Sequence, residues 1–540
     1  MNLKLEGGYI RAYTMDWDNG ESDSLHLEYS YDKEHWYSLN GGNGVLFPRL
    51  GSKQMKNPRL RREEDGSFLL LAEDAIDASL LMEFHSTNLT DYTAERLLKN
   101  SSITAVDHIL GPNKPLQVSQ EELQVLFNKW GRPEPVTPET QVSIEVSDSA
   151  KLPKEVLVPY SNGSYVKQKI NWNLSYTKKL PSQGTFTLKG YFKEHQYSNP
   201  FIMHAADPFI YRHTDGSYYF TSSHADSEHD LEGKYQYRKI TLRKAKTLED
   251  LSNNYTEKVL FSREPLSNDT SPHIWAPELH FIDSKWYLYF TTTISNDNRW
   301  EIRPHVLECA DEDPMTATWV NKGVLKCIDS SSMAFTRFSL DHTVFEHKGS
   351  LYMIWAQEDN KNSDLFISIM INPWTIDEKV TKIATPQYNW ETHGFPVCEG
   401  PSILKRNGRI FLIYSASGTD ALYCMGMITA EEDADLLKAS SWVKTPYPVF
   451  QSNKNNGQFG PGHNSFTVDE DGNDIMVYHA RQKERYLVDK GYQPLYDVGR
   501  NASLGKVYWN PDGTPNFSIP LPSSKATDIA HEITATFNIK

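Results

Sequence analysis

Five stretches of the chain share one alternation of apolar and polar positions. They are DPFIYRHTDGSYYFTSS from Asp207, APELHFIDSKWYLYFTTT from Ala276, DHTVFEHKGSLYMIWAQ from Asp341, GPSILKRNGRIFLIYSAS from Gly400 and GHNSFTVDEDGNDIMVYHAR from Gly462. Each reads as a short apolar strand, a tight and mostly glycine-centred turn, and a longer apolar-aromatic strand, the pattern of a β-hairpin. The starts fall 59 to 69 residues apart. A hairpin fills only part of each repeat, and runs such as YQYRKITLRKAK and LFISIMINP supply further strands. Four-stranded units repeated around an axis make a β-propeller, because each blade buries its faces against its neighbours. Five repeats predict five blades over about residues 195–520, inside a unit assigned residues 193–540; a single β-sandwich has no reason to keep so long a period.

Upstream, residues 137–192 hold four strand-like runs, QVSIEV, VLVPY, KINWNLSY and GTFTLKGYF, parted by Pro, Gly and Asn turns. A small Ig-like sandwich fits them, and INWNLSY with GTFTLKGY resembles the Ig-like modules common in bacterial carbohydrate-active proteins. SQEELQVLFNKWG predicts a helix, with Ser119 and Glu122 at capping-box spacing and Gly131 placed to end it. The helix is grouped with the Ig-like unit as residues 113–192. Within residues 1–112, NPRLRREEDGSFLLLAED from Asn57 repeats the hairpin pattern, and STNLTDYTAERLL from Ser86 echoes KTLEDLSNNYTEKVL from Lys246. A β-rich N-terminal unit with one degenerate blade-like repeat is expected there. The fold class is therefore all-β: a five-bladed β-propeller domain preceded by a small Ig-like β-sandwich and a β-rich N-terminal unit.

Composition narrows the partners. Lys+Arg 55 against Asp+Glu 70 gives a net charge of −15, which argues against a nucleic-acid partner or an anionic membrane surface. No run reaches the roughly 18 to 20 apolar residues of a membrane span. Aromatics make up 12% of the chain, as all-β cores and sugar-binding clefts both require. Cys309, Cys327, Cys398 and Cys424 are scattered without a CxxC pair, so neither a zinc site nor a disulfide framework is suggested. The opening MNLKLEGGYI has no apolar core and no small-residue cleavage pattern, and a cytoplasmic location is expected from it.

The first strand of each blade lines the central channel, where one ligand meets residues from every blade. The hairpin starts carry Asp207 and Asp341, with Glu399 just ahead of the fourth and His463 in the fifth. Three carboxylates at one end of a narrow axis oppose stability, because like charges repel and burial makes that worse. Clustered carboxylates serve either hard-metal binding or acid/base hydrolysis of glycosidic bonds.

Taken in order, ADPFI, WAPE, SLDHTVF, CEGPSI, GPGHNSF and VGRNASL resemble glycoside hydrolase family 43 over about residues 195–520. The family fold is a five-bladed propeller, and the resemblance implies an inverting glycosidase. Asp207 would then be the general base, Glu399 the general acid, and Asp341 the orienting residue that modulates the acid's pKa. No cofactor is implied for catalysis. His463 matches a histidine beside an axial cation, often calcium, held largely through water; the alternative is an imidazole that fills the channel. Arg500 matches an arginine on substrate hydroxyls, or pairs with one of the acids, and both can hold together. Trp275 either stacks on a sugar or packs its blade, and His204 and Arg481 are further substrate-binding candidates.

Family 43 acts chiefly on α-L-arabinofuranosides and β-D-xylosides. Its xylosidases append a large C-terminal sandwich, whereas this chain carries its extra mass N-terminally, so removal of terminal α-L-arabinofuranosyl residues from oligosaccharides is expected. A β-D-xylosidase or an endo-arabinanase is the alternative within the family, and a sugar-binding propeller without catalysis the alternative outside it. A fructan-cleaving propeller would place Asn before Asp-Pro, where this chain has Ala206. The oligomeric state is left open.

Overall fold

The computed structural model describes residues 7–15, 24–99, 113–136, 141–146, 152–174, 184–225, 235–267, 270–316 and 318–539. The opening MNLKLE and the end of the INWNLSY run, from Ser175, lie outside the described residues.

Five antiparallel sheets follow one another from Ala205 onward. Blade I is Ala205–Arg212, Tyr218–His224, Lys239–Ala245 and Thr256–Ser262, and blade II is Ile274–Ile282, Lys285–Thr293, Ile302–Cys309 and Val320–Val324. Blade III is built on Ser339–His347, Ser350–Asp359 and Asn362–Asn372 with short outer strands, and blade IV runs from Cys398–Arg406 through Arg409–Ala416 and Cys424–Glu431 to Val443–Lys444. Blade V is Phe459–Val468, Asp474–Arg481 and Asn501–Lys506. The innermost strands touch in a closed cycle, I to II to III to IV to V and back to I, which is the five-bladed propeller read from the repeats.

Local chemistry explains the blades. The first hairpin turns place Gly216, Gly349, Gly408 and Gly472 at positive φ, the backbone a tight antiparallel turn demands. Blade II lacks the glycine and uses Asp283 (φ 48°) and Ser284 (φ 63°) instead. The second strands are buried along nearly their whole length, as in Trp286–Thr293 and Asp474–Arg481. Each lies between two neighbouring blades with neither face wet, so its sequence is a continuous apolar run rather than an alternation. The ring is closed by backbone: Phe201 N–H donates to Ala502 O, and Ala502 N–H to Ile202 O, both at 2.8 Å. The chain entering blade I thus pairs with the outer strand of blade V and covers an edge that would otherwise be free.

The N-terminal unit has a core of its own. Met55–Arg62, Phe68–Asp74, Leu80–Ser86 and Thr93–Lys99 form a blade-like meander, and a second sheet joins Gly8–Tyr13, His26–Ser30, Tyr37–Ser38 and Leu116–Val118. Ile10, Leu27, Leu70 and Phe84 pack between them. The helix Gln120–Trp130 starts at a complete Ser119/Glu122 capping box. It buries Leu123 and Leu126 in this same N-terminal core, not in the Ig-like unit with which the sequence grouped it, because the strand just before it pairs with Gly8–Tyr13. The C-terminal strand also departs from the sequence reading. Thr527–Ile539 leaves the propeller and pairs along its length with Gly184–Gln196, and in parallel with Gln141–Val146, completing the Ig-like sheet.

Candidate active site

In every blade the first strand slips register against the second at the same point. The slips fall between Ala206 and Phe209, Trp275 and Glu278, Leu340 and His342, Glu399 and Ser402, and Gly462 and Ser465. The residue at each slip is left-handed: Asp207 (φ 51°), Ala276 (50°), Asp341 (41°), Gly400 (53°) and His463 (44°). Such a bulge bends its strand and re-aims a side chain, at a cost of about 1–3 kcal/mol for a non-glycine residue. Five bulges around one axis turn Asp207, Asp341 and His463 toward one another. Blade IV carries no side chain at its bulge, where a Cβ on Gly400 would lie 3.1 Å from His463 Nδ1, a tight contact. Glu399 therefore stands one residue earlier than the two aspartates, in the position held by Ala206, Trp275, Leu340 and Gly462 in the other blades.

Each bulge is held from the blade before it. Ala276 N–H donates to Ser223 Oγ (2.7 Å), Asp341 N–H to Thr291 Oγ1 (3.2 Å), His463 N–H to Ser415 Oγ (2.7 Å) and Asp207 N–H to His479 Nδ1 (3.1 Å). These four acceptors occupy one equivalent position of the second strand. In blade III that position is Ala356, which has no acceptor to offer. Gly400 N–H instead donates to Asp341 Oδ2 at 3.1 Å, so one carboxylate is tied to the strand that bears Glu399.

The side chains converge. His463 Nδ1 lies 3.5 Å from Asp207 Oδ1 and 3.4 Å from Asp341 Oδ2. Arg500 reaches Asp207 Oδ1 at 3.4 Å and also donates to Tyr237 Oη (3.3 Å) and Leu495 O (3.2 Å). Ser223 Oγ donates to Asp207 Oδ2 at 2.5 Å, and Tyr423 Oη to Glu399 Oε1 at 2.8 Å.

Their protonation differs. Burial alone would raise Asp207, but a charged His463, the Arg500 guanidinium and His479 outweigh it and hold the carboxyl well below the usual range. Burial also pushes His463 down, so the guanidinium is the cation that persists at neutral pH. Glu399 is raised to about 7 by burial and then by the Asp207 charge, with Tyr423 and Arg500 pulling the other way. Asp341 is raised well above its ordinary value by burial, Glu399 and Asp207, against the Gly400 N–H and Arg500. The three carboxyls are thus pushed apart: Asp207 down, Glu399 and Asp341 up.

Of the other sequence candidates, Trp275 is buried beside the blade II bulge, edge-on to Tyr237 with ring centres 6.4 Å apart, and so backs the Arg500 wall. His204 is exposed and its Nδ1 lies 2.8 Å from Val498 O; no contact brings it to the carboxylates. Arg481 is buried and spent on Asp497 (3.0 Å) and Pro494 O (3.0 Å), holding the loop that leads into Arg500. Tyr423, Ser223, His479 and Tyr237 are contacts the sequence reading missed: the first three stand in or beside apolar-aromatic strands that read as core, and Tyr237 lies in the polar run KYQYRK, outside the hairpin repeat. Among the described residues no cluster of three His, Cys, Asp or Glu side chains is arranged to hold a metal directly.

Known proteins share this site-bearing region. The sequence pattern of Glycosyl hydrolases family 43 matches residues 197–515, and that of the Bacterial Ig-like domain (group 4) matches residues 137–194. An "Extracellular exo-alpha-(1->5)-L-arabinofuranosidase" of Streptomyces avermitilis is 46% identical over 330 residues, 60% of this chain and 64% of that protein, so the match spans less than two thirds of the relative. A protein of the same name from Streptomyces chartreusis is 46% identical over 297 residues, 54% of this chain and 85% of its own. The crystal structure of an α-L-arabinofuranosidase from Lactobacillus brevis superposes with a TM-score of 0.54 at 44% identity, covering 61% of this chain and 98% of that one. Both Streptomyces relatives are named extracellular, which overturns the cytoplasmic location expected from the opening residues. With its family pattern running through all five blades, the chain belongs to glycosyl hydrolase family 43.

Proposed function

We propose that the chain is an exo-acting α-L-arabinofuranosidase that hydrolyses with inversion, removing terminal arabinofuranosyl residues from oligosaccharides. The observation that carries this is the ring of bulges that gathers Asp207, held by Ser223 and Arg500, and Glu399, held by Tyr423, in surroundings that push their pKa values in opposite directions. Asp207, ionised and steadied by Ser223 and Arg500, takes a proton from the attacking water as its oxygen bonds to the anomeric carbon. Glu399, protonated below about pH 7, gives its proton to the departing glycosidic oxygen as that C–O bond breaks. Asp341 acts through its ties to His463 and the Gly400 N–H, which fix the acid's strand. Arg500, with Tyr237 behind it, is set to meet sugar hydroxyls as well as Asp207.

An axial cation fits the residues in one form only. His342 and Asn464, each directly after a bulge residue, are buried with side-chain polar atoms that meet no protein hydrogen-bond partner. With His463 they would suit a hydrated ion such as calcium, which would supply fixed positive charge near the acids.

The printed names of the relatives make α-(1→5)-linked arabino-oligosaccharides the substrate to try first. The test compares aryl α-L-arabinofuranoside, aryl β-D-xyloside and arabinotriose on the wild type, Asp207→Asn and Glu399→Gln. Arabinoside cleavage is expected, with Asp207→Asn slower by about 10²–10⁴-fold on every substrate. Equal rates on the xyloside would overturn the substrate class, and an active Asp207→Asn would overturn the assignment of the base.

A further inference from the structure

The N-terminal unit touches two loops of the propeller that lead into the innermost strands of blades IV and V. One runs through residues 387–393 into the strand that bears Glu399. There Asn389 Nδ2 donates to Lys53 O (2.7 Å) and Lys53 Nζ to Gln387 O (3.3 Å). The other runs through residues 451–456 into the strand that bears His463. There Asn43 Nδ2 donates to Ser452 O, and the Gly41 backbone lies so close to Asn453 that a Cβ would fall 2.8 Å from its Cγ. Gly41 is left-handed (φ 63°), so contact and conformation both call for glycine.

From the propeller side the first loop is pinned by a buried carboxylate. Glu391 accepts from Gln387 N–H (2.7 Å) and Tyr388 N–H (2.9 Å), and from Lys444 Nζ (2.6 Å) and Tyr414 Oη (2.7 Å). Phe47 of the N-terminal unit packs against the apolar cluster that contains Trp390 and Cys398, the residue next to Glu399. Between the two bodies lies a cavity of about 60 Å³ walled by Met15, His26 and Phe47 on one side and by Trp390 and Tyr423 on the other. Tyr423 is the residue whose hydroxyl donates to Glu399; its ring lies 5.8 Å from that of His479, nearly parallel, and against Gly462, where a Cβ would come within 2.0 Å of it.

We propose that the N-terminal unit is a positioning element of the active site, which clamps the loops feeding the Glu399 and His463 strands and backs Tyr423, so that the proton donor stays aimed at the leaving oxygen. This rests on Glu399 being the acid. A displaced acid harms only substrates that need protonation, because a nitrophenolate leaves unaided while a sugar alkoxide does not.

The test uses the full chain with Phe47→Ala, Phe47→Leu and Asn43→Ala, each checked for a native melting transition. Second-order rates are measured on α-(1→5)-arabinobiose and on a nitrophenyl α-L-arabinofuranoside. For Phe47→Ala a loss of about tenfold or more is expected on the disaccharide, with no more than about threefold on the aryl substrate. Phe47→Leu should recover most of it, and Asn43→Ala should show a smaller loss of the same selectivity. If Phe47→Ala does not fold, Asn43→Ala and Phe47→Leu carry the comparison. Equal losses on both substrates, or none on either, overturn the clamp. Glu399→Gln, run alongside, separates the two ideas. If it too lacks leaving-group selectivity, the assignment of the acid has failed; if it alone shows selectivity, the clamp has failed and the acid stands.

Discussion

Replacing Tyr423 by Phe removes one oxygen and leaves the ring between His479 and the N-terminal unit. The lost group is the only hydroxyl among the described residues that donates to Glu399. Tyr423 is itself held far above the ordinary tyrosine value, first by burial and then by the neighbouring carboxylates, so it is a donor throughout the working range. Its bond favours the ionised form of Glu399, and its removal must therefore raise that group's pKa. A hydrogen bond to an ionised carboxylate contributes about 1.5–3 kcal/mol. At about 1.4 kcal/mol per pH unit that is one to two units, and water entering the gap returns part of it, leaving about one. As the proposed acid Glu399 would work only when protonated, so activity should be present below its pKa and lost as pH rises through it. In the wild type the basic limb of kcat/KM on arabinobiose should fall near pH 7. In Tyr423→Phe it should move up to about 8. The assay is kcat/KM from pH 5 to 9, with the aryl arabinoside as a control whose basic limb is shallower. A limb that stays in place or moves down would refute the link between Tyr423 and the acid.

Other substitutions read other parts of the ring. Ser223→Ala removes both the donor to Asp207 Oδ2 and the acceptor for Ala276 N–H, and should lower kcat about tenfold with KM little changed, because the base is used only in the transition state. Gly462→Ala drives a methyl group to within 2.0 Å of the Tyr423 ring and should cost about 1–3 kcal/mol, read as an earlier denaturant midpoint. Asp207 should impose no acidic limb until pH falls below the ordinary aspartate range, since its folded pKa is depressed and its charge is lost only on descent through that value.

What the sequence disclosed and what it hid follow from range. The capping box at Ser119 and Glu122 is written in four consecutive residues, and the glycine turns in two, so both were legible. The blades were legible because their period repeats. Asp207 and Asp341 stood out as acids at hairpin starts and Glu399 as one just ahead of its hairpin, yet the pairing of Glu399 with Ser415 is a matter of register, which no motif spells. Ser223 was invisible because second strands are buried on both faces and a functional hydroxyl there looks like core, and Tyr423 because it stands in the apolar run ALYCM just before the third strand of blade IV. Arg481 and His204 adjoin the right motifs, but alternation along a strand and a left-handed turn at His204 (φ 56°) send them elsewhere. The partner of Thr527–Ile539 lies more than 300 residues away, beyond any local pattern.

The central claim is that Asp207 and Glu399 act on opposite sides of one glycosidic bond as base and acid. Proton NMR of the sugar released in the first minutes of arabinobiose hydrolysis tests it most directly. The account predicts β-arabinofuranose as the first-formed anomer, relaxing afterwards by mutarotation. First-formed α-arabinofuranose would mean a covalent intermediate, and would contradict it.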